Sequence, residues 1–322
     1  DPSDVFVPMI LTGAKNEGAT DTAAIYAFDT IELSPEWLLS AGLRSEHYNT
    51  TTDNITIQGS STPQTIPVGT PIATHAKASD NLLSYKAGVI YKPTADGSIY
   101  LSYATSQLPP GGNSFQLSTS LTNQNNAAME PQKGTNLELG VKWNLLNEKL
   151  FAEAAVFESK NKNELIQDDL TTYLPIGEKT VRGAEFGLVG MPMPNWEVKA
   201  GLSLLDPEIT RGTRIGTSPT DGAMIQWTPK TTFTLWANYK LEKLSFGGGA
   251  RYMDSVARSN NTALNPATAS LLQVPDYWVV DAMAAYAVTP EVTVQLNLYN
   301  LLDEEYIGSL NNGGSRYHHG AQ

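Results

Sequence analysis

Hydrophobic and polar residues trade places with a period of two along most of this chain. Near its end, Val292, Val294, Leu296 and Leu298 alternate with Thr293, Gln295, Asn297 and Tyr299. A strand with that pattern has one oily face and one wet face. Residues 37–48 set Trp37, Leu39, Ala41 and Leu43 against Ser40, Gly42, Arg44 and Glu46. Residues 135–146 oppose Leu137, Leu139, Val141 and Trp143 to Asn136, Glu138, Gly140, Lys142 and Asn144. In 195–205, Trp196, Val198, Ala200, Leu202 and Leu204 face away from Glu197, Lys199, Gly201 and Ser203. A helical period would scatter these residues around a cylinder. Twelve such segments start near residues 22, 36, 81, 98, 133, 149, 174, 195, 229, 243, 276 and 291. No comparable helical stretch interrupts them, so the chain is predicted to be all-β.

The connections predict which solvent meets the oily face. Short turns fall at 33–37, 94–98, 146–149, 191–195, 241–244 and 289–291, with the Pro, Asn, Asp and Gly of tight turns. Long polar stretches occupy 53–80, 107–132, 206–228 and 255–275. Loops longer than about 12–15 residues are uncommon in a compact domain, yet here they are expected after every second strand. Short turns at one end and long loops at the other is the asymmetry of a transmembrane antiparallel β-barrel. Tyr26, Phe28, Trp37, Tyr91, Trp143, Trp196, Tyr239, Phe246 and Tyr286 lie near the short turns, mostly on the oily face. A ring of amphipathic side chains at a membrane interface has that placement. The wet face carries Lys86, Lys92, Glu138, Lys142, Glu197, Lys199, Asp281 and Gln295 in mid-strand. In a sealed core such charges would be costly; in an aqueous or plugged lumen they are solvated or paired.

Composition removes several function classes. The 33 acidic and 21 basic residues give a net charge of -12, which argues against nucleic acid as a partner. Without cysteine there is no thiolate catalysis, zinc-thiolate site or disulfide. No apolar run approaches the roughly 18 residues of a membrane helix. No G-x-S-x-G elbow occurs, and the glycines of 247–250 sit within a strand, where they relieve crowding or permit curvature. An enzyme is not expected, which leaves an outer-membrane protease, lipase or adhesin as a minor class.

The tail LNLYNLLDEEYIGSLNNGGSRYHHGA (296–321) resembles the C-terminal signature of TonB-dependent outer-membrane receptors, roughly N-x-x-N-L-F-D-x-x-Y. Asn297, Asn300, Leu301, Asp303 and Tyr306 carry the match, with Leu302 where Phe is usual. Residues 26–44, 91–115 and 182–190 resemble siderophore receptors of that family, and the Pro-Pro-Gly-Gly run with the SRYHHGA tail is similar to its catecholate-type members. The resemblance implies a bacterial outer-membrane location, a barrel of 22 strands, and an N-terminal plug domain. It implies uptake of ferric siderophore powered by TonB–ExbB–ExbD through the N-terminal region. It also implies a monomer in the membrane, surrounded by lipid and lipopolysaccharide. About twelve strands are visible, corresponding to strands ten through twenty-one. Residues 1–322 are thus expected to be the C-terminal part of the barrel, with the plug and the last strand absent from the chain.

Candidate ligand contacts follow from that expectation. A ferric siderophore is rich in oxygen acceptors, which suit the guanidinium fork, and tyrosine rings stack on catechols. Arg211, Arg214, Arg258 and Arg316 fall in or beside the expected long loops, with Tyr252 and Tyr317 nearby. Bracing of loops, or contact with lipopolysaccharide phosphates, is the competing role for each. His318 and His319 point to opposite faces of a strand, and His47 and His75 lack acidic or cysteine partners at useful spacing. No protein-bound cofactor or metal is expected; iron would arrive inside the siderophore. A passive diffusion porin is the alternative reading.

Overall fold

A computed structural model of the chain describes residues 12–60, 65–168, 172–213, 219–258, 272–310 and 317–320. Its strands are β1 (Lys15–Ser34), β2 (Trp37–Ile57), β3 (Pro71–Thr94), β4 (Gly97–Leu108), β5 (Gln132–Leu145), β6 (Leu150–Gln167), β7 (Tyr173–Met193) and β8 (Trp196–Arg211). They continue as β9 (Thr231–Leu241), β10 (Leu244–Met253), β11 (Val256–Ala257), β12 (Gln273–Val274), β13 (Tyr277–Ala287), β14 (Thr293–Leu298), β15 (Ile307–Leu310) and β16 (Tyr317–His319). Twelve of them form one sheet in chain order, β1 to β10 and then β13 and β14. Two small ribbons, β11–β12 and β15–β16, are separate. Each of the twelve predicted segments corresponds to one strand of the sheet.

Several predicted boundaries were wrong. β1 starts at Lys15, and β2 and β3 extend through much of 53–80, which the sequence assigned to a loop. β8 likewise continues to Arg211. The connection between β6 and β7 covers only 168–172, so long loops do not follow every second strand. The cause is strand length. At about 3.3 Å per residue, the 21 residues of β2 reach roughly 70 Å, more than twice a hydrocarbon core of about 30 Å. Beyond the membrane there is no lipid to enforce alternation, so those ends read as polar loop.

The chain divides into two compact units. One comprises the described residues of Asp1–Tyr26, Arg44–Leu83 and Gln107–Gln132. Its core is Tyr48, Ala76, Ala78, Leu82 and Leu117, with Ala127 packed against it. Alternation along β2 puts Tyr48, Thr50 and Thr52 on one face, and all three are buried. The connection 109–131 lies on that face. The Thr52 hydroxyl accepts from the Leu117 amide at 2.8 Å and donates to the Phe115 carbonyl at 3.1 Å. Gly111, at φ 88, turns the chain after Pro109-Pro110 into a short 3-10 turn over Gly112–Ser114.

The other unit comprises Ala27–Leu43, Ser84–Ser106 and the described residues of Lys133–Gln322. Its registers carry two alternating kinds of row. Leu139 lies opposite Val156, Val156 opposite Ala184, and Ala184 opposite Leu204. Three residues along, and so on the opposite face, Lys142 lies opposite Glu153, Glu153 opposite Gly187, and Gly187 opposite Gly201. A period of two holds every apolar row on one face. That face has no protein cover: Leu139 is 48%, Val156 53% and Phe186 48% exposed. A continuous bare apolar face suits lipid and not water. At the short-turn ends, Trp37 stacks on Tyr91 at 4.6 Å and Trp196 meets Tyr239 at 5.2 Å. Phe28 is an exception to the predicted ring, because it lies on the polar face beneath Lys86, whose Nζ is 5.9 Å from the Phe28 ring centroid. Asn147 and Asn195 turn the chain at φ 57 and 66, a region that asparagine tolerates.

Replacing Leu139 or Val156 with Arg should block assembly in outer membranes, at about 2–4 kcal/mol for a midplane charge. Ser203→Arg, on the polar face within reach of Glu185, should assemble. Equal heat-resistant, folded protein from all three variants in an electrophoretic assay would show the facing to be reversed or absent.

Candidate functional site

The polar face of the second unit is a lattice of charges set between aromatic rings and glycines. The Tyr100 hydroxyl donates to Glu138 at 2.6 Å, and Lys142 Nζ lies 5.6 Å from the Tyr100 ring centroid and 3.9 Å from Glu153. Lys199 pairs with Glu197 at 3.0 Å, and Arg251 with Asp281 at 3.8 Å. Except for Asp281, which is largely covered, the paired groups are about half exposed, so each pair contributes little to stability by itself. Large side chains fit because small ones lie beside them. The Tyr100 ring covers Gly140, where a Cβ would collide with it, and the Trp236 ring covers Gly247 and Gly249. The Trp236 indole donates to Asn238 at 2.9 Å.

The segment after β14 turns over the polar face of β13. Asn300 is buried and closes this turn: its amide nitrogen donates to the Glu304 carbonyl at 3.0 Å and its side-chain oxygen accepts from the Glu304 amide at 3.0 Å. The Asn300 backbone amide donates to Asp281 at 2.8 Å, and the Leu301 amide to the Val280 carbonyl at 2.8 Å. Asn300 and Asp303 take φ values of 51 and 52, which reverse the chain. Val279 is 0% exposed in consequence, and Tyr306 stacks on Tyr277 with ring centroids 4.4 Å apart. Gly320 backs the Tyr306 ring so closely that a Cβ there would overlap it.

The expected loop residues separate into groups. Arg211 ends β8 and is exposed, in register with Glu178 of β7. Arg258 follows β11, and its amide donates to the Leu272 carbonyl at 2.8 Å. Tyr317 lies in β16, edge-on to His319 at 5.2 Å. The β11–β12 ribbon touches the β15–β16 ribbon through β12 and β15, so the structure brings the segments of Arg258 and Tyr317 to one place, while Arg211 ends β8, two strands from β10 in the sheet. Arg214 and Arg316 lie outside the described residues. Tyr252 is a correction. It ends β10 on the apolar face, where its ring meets Trp278 at 4.8 Å and Trp278 meets Phe233 at 5.9 Å. A strand alternates, so Tyr252 joins an aromatic cluster on the lipid side and not the lumen.

The expectation that His75 lacks an acidic partner is corrected by Asp53, which lies beside it. His47 bonds Asn81 at 3.1 Å and His75 bonds Asp53 at 2.8 Å. Among the described residues no group of three His, Cys, Asp or Glu is placed to hold a metal ion.

Comparison with known proteins decides the family. Residues 1–301 match the model described as TonB dependent receptor-like, beta-barrel. The catecholate siderophore receptor Fiu of Escherichia coli K12 is 38% identical over 319 residues, covering 96% of this chain and 41% of Fiu. The chain belongs to the TonB-dependent receptors. The probable TonB-dependent siderophore receptor PiuA of Acinetobacter baumannii is 35% identical over 94% of the chain and 39% of PiuA. The closed-form crystal structure of Fiu, a ferric-catecholate import receptor, superposes with a TM-score of 0.88 at 36% identity, over 98% of this chain and 45% of Fiu. The chain thus spans about two-fifths of the length of these relatives. As members of this family are outer-membrane proteins, the solvent on the apolar face is lipid.

In this receptor the tail motif has a structural meaning that its spacing did not reveal. Asn300 builds the turn and Tyr306 docks it on β13, so these two motif residues hold the chain's own fold. Arg251 lies within β10 and not in a loop, so no loop or motif signal marks it in the sequence. The available signal was parity: Arg251 shares the polar set of β10 with Gly247 and Gly249, and its register neighbour Val279 lies next but one to Asp281.

Asn300→Ala removes both side-chain hydrogen bonds to the Glu304 backbone, at a cost of about 0.5–1.5 kcal/mol each. Hydrogen exchange at residues 300–306 should accelerate roughly ten- to a hundred-fold, while exchange in β5–β8 stays unchanged. Unaltered exchange at 300–306 would show that the turn does not depend on Asn300.

Proposed function

We propose that the intact protein imports ferric siderophores of the catecholate type across the outer membrane, energised by TonB–ExbB–ExbD. The observation that carries this reading is the similarity to Fiu and PiuA along nearly the whole chain, joined to a sheet with one lipid face and one charged face. On this reading the iron arrives inside its siderophore, and the protein holds no metal of its own. A plug domain outside this chain supplies the rest of the site and the contact with TonB. Arg211, Arg214, Arg258, Arg316 and Tyr317 belong to the extracellular end, where long loops on a rigid barrel concentrate binding function. Lipid and lipopolysaccharide surround the apolar face.

The test is uptake of radioactive iron as a ferric catecholate by cells producing the full-length receptor under iron limitation. Uptake should be lost without TonB or without the proton motive force. Equal uptake in either condition would mark a passive diffusion porin instead.

Loop recognition has its own test. A charge-assisted hydrogen bond contributes about 1.5–3 kcal/mol, so Arg258→Ala or Arg316→Ala should weaken equilibrium binding by roughly ten- to a hundred-fold. Barrel heat-stability should stay at the wild-type value, because on this reading both substitutions fall outside the membrane-spanning strands. Unchanged affinity in both variants would remove them from the site.

A further inference from the structure

We propose that Arg251 and the stacked Tyr277–Tyr306 pair form a subsite on the lumen wall for one catecholate arm of the ferric ligand. This inference rests on the receptor reading above and adds residues to it. Register sets Arg251 beside Val279 and Met253 beside Tyr277 on the polar face. Arg251 and Tyr277 are therefore diagonal neighbours on adjacent strands, about 7–8 Å apart at the backbone and within side-chain reach.

The two parts differ in rigidity. Three segments hold the tyrosine pair. Tyr277 starts β13, with its hydroxyl 3.9 Å from the Met253 sulfur; Tyr306 is fixed by the Asn300 turn; and Gly320 closes the back of the Tyr306 ring. Arg251 is looser. Its side chain is 49% exposed, and its ion pair with Asp281 is long at 3.8 Å, while Asp281 also accepts the Asn300 amide at 2.8 Å. A guanidinium carries five donors in a planar fork, far more than one distant carboxylate oxygen engages. Trp236 lies one row below on the same face, beside Gly249.

In its ferric complex a catecholate chelates the iron through two adjacent ring oxygens, which stay negative in character and still accept hydrogen bonds from outside. The fork suits that oxygen edge, and a fixed aromatic pair suits the ring. A ligand with carboxylates alone would use the first and not the second. A ring without charge would use only the second. The combination therefore selects for an anionic aromatic group.

The experiment uses the full-length receptor and the ferric complex of 2,3-dihydroxybenzoate as probe, with ferric citrate as the ringless comparison. Arg251→Gln should weaken binding of the ferric catecholate ten- to a hundred-fold, and Arg251→Lys should recover only part, since it keeps the charge and loses the fork. Tyr277→Leu should weaken the ferric catecholate several-fold and leave whatever ferric citrate binding the wild type shows unchanged. Outer-membrane abundance and heat-modifiable migration report folding of each variant. Should Arg251→Gln fail to assemble, Arg251→Lys and Tyr277→Leu carry the comparison. Wild-type affinity in the assembled variants overturns the subsite and leaves the receptor standing. No binding of the ferric catecholate by the wild type overturns both.

Discussion

Lipid offers no hydrogen bonds, and the rest of this structure depends on that fact. Every amide and carbonyl within the hydrocarbon must find a partner in the protein, which restricts spanning elements to helices and closed sheets. A sheet meets the demand between strands, so each strand leans on its neighbours and its side chains are left to deal with two solvents. From this follow the strict alternation, the bare apolar rows at Leu139, Val156 and Phe186, and the charges on the opposite face. The usual measure of a protein core says little here. The described core cluster, around Tyr48 and Leu117, belongs to the smaller unit and not to the lipid-facing rows.

Legibility in the sequence tracked the same constraint. Within the membrane band, alternation was enforced by solvent, and all twelve strands could be placed from it. Past the band, β2 and β3 continue with Thr50, Thr52, Ala76 and Ala78 buried, in part under the connection 109–131. Small and hydroxyl side chains suit that contact but do not look like strand when read for hydrophobicity. The short 168–172 connection between β6 and β7 was missed for a related reason, since nothing in local composition fixes how far a hairpin extends into water.

The functional residues were less legible, because the reading assumed that ligand contacts sit in loops. Tyr252 sounded like a loop aromatic and turned out to close a cluster with Trp278 and Phe233 on the lipid side. Arg251, its immediate neighbour, points the other way. One residue separates an anchor in the membrane interface from a cation in the lumen. Parity along β10 separates them, and the register with partner strands shows which set faces which way. The tail motif was legible as a family mark but not as a turn, because Asn300 works through Glu304 and Asp281, and the Asp281 contact joins positions distant in sequence.

The glycines beside Tyr100 and Trp236 carry an evolutionary implication. Gly140 with Tyr100, and Gly247 and Gly249 with Trp236, each divide a fixed volume between adjacent strands. Enlarging the glycine alone collides with the ring, and shrinking the ring alone leaves a hole in the lumen wall. Such positions are free to change only together. Among descendants of a common barrel, these pairs should drift as coupled units, large facing small in either order, while the lipid face between them exchanges one aliphatic residue for another independently.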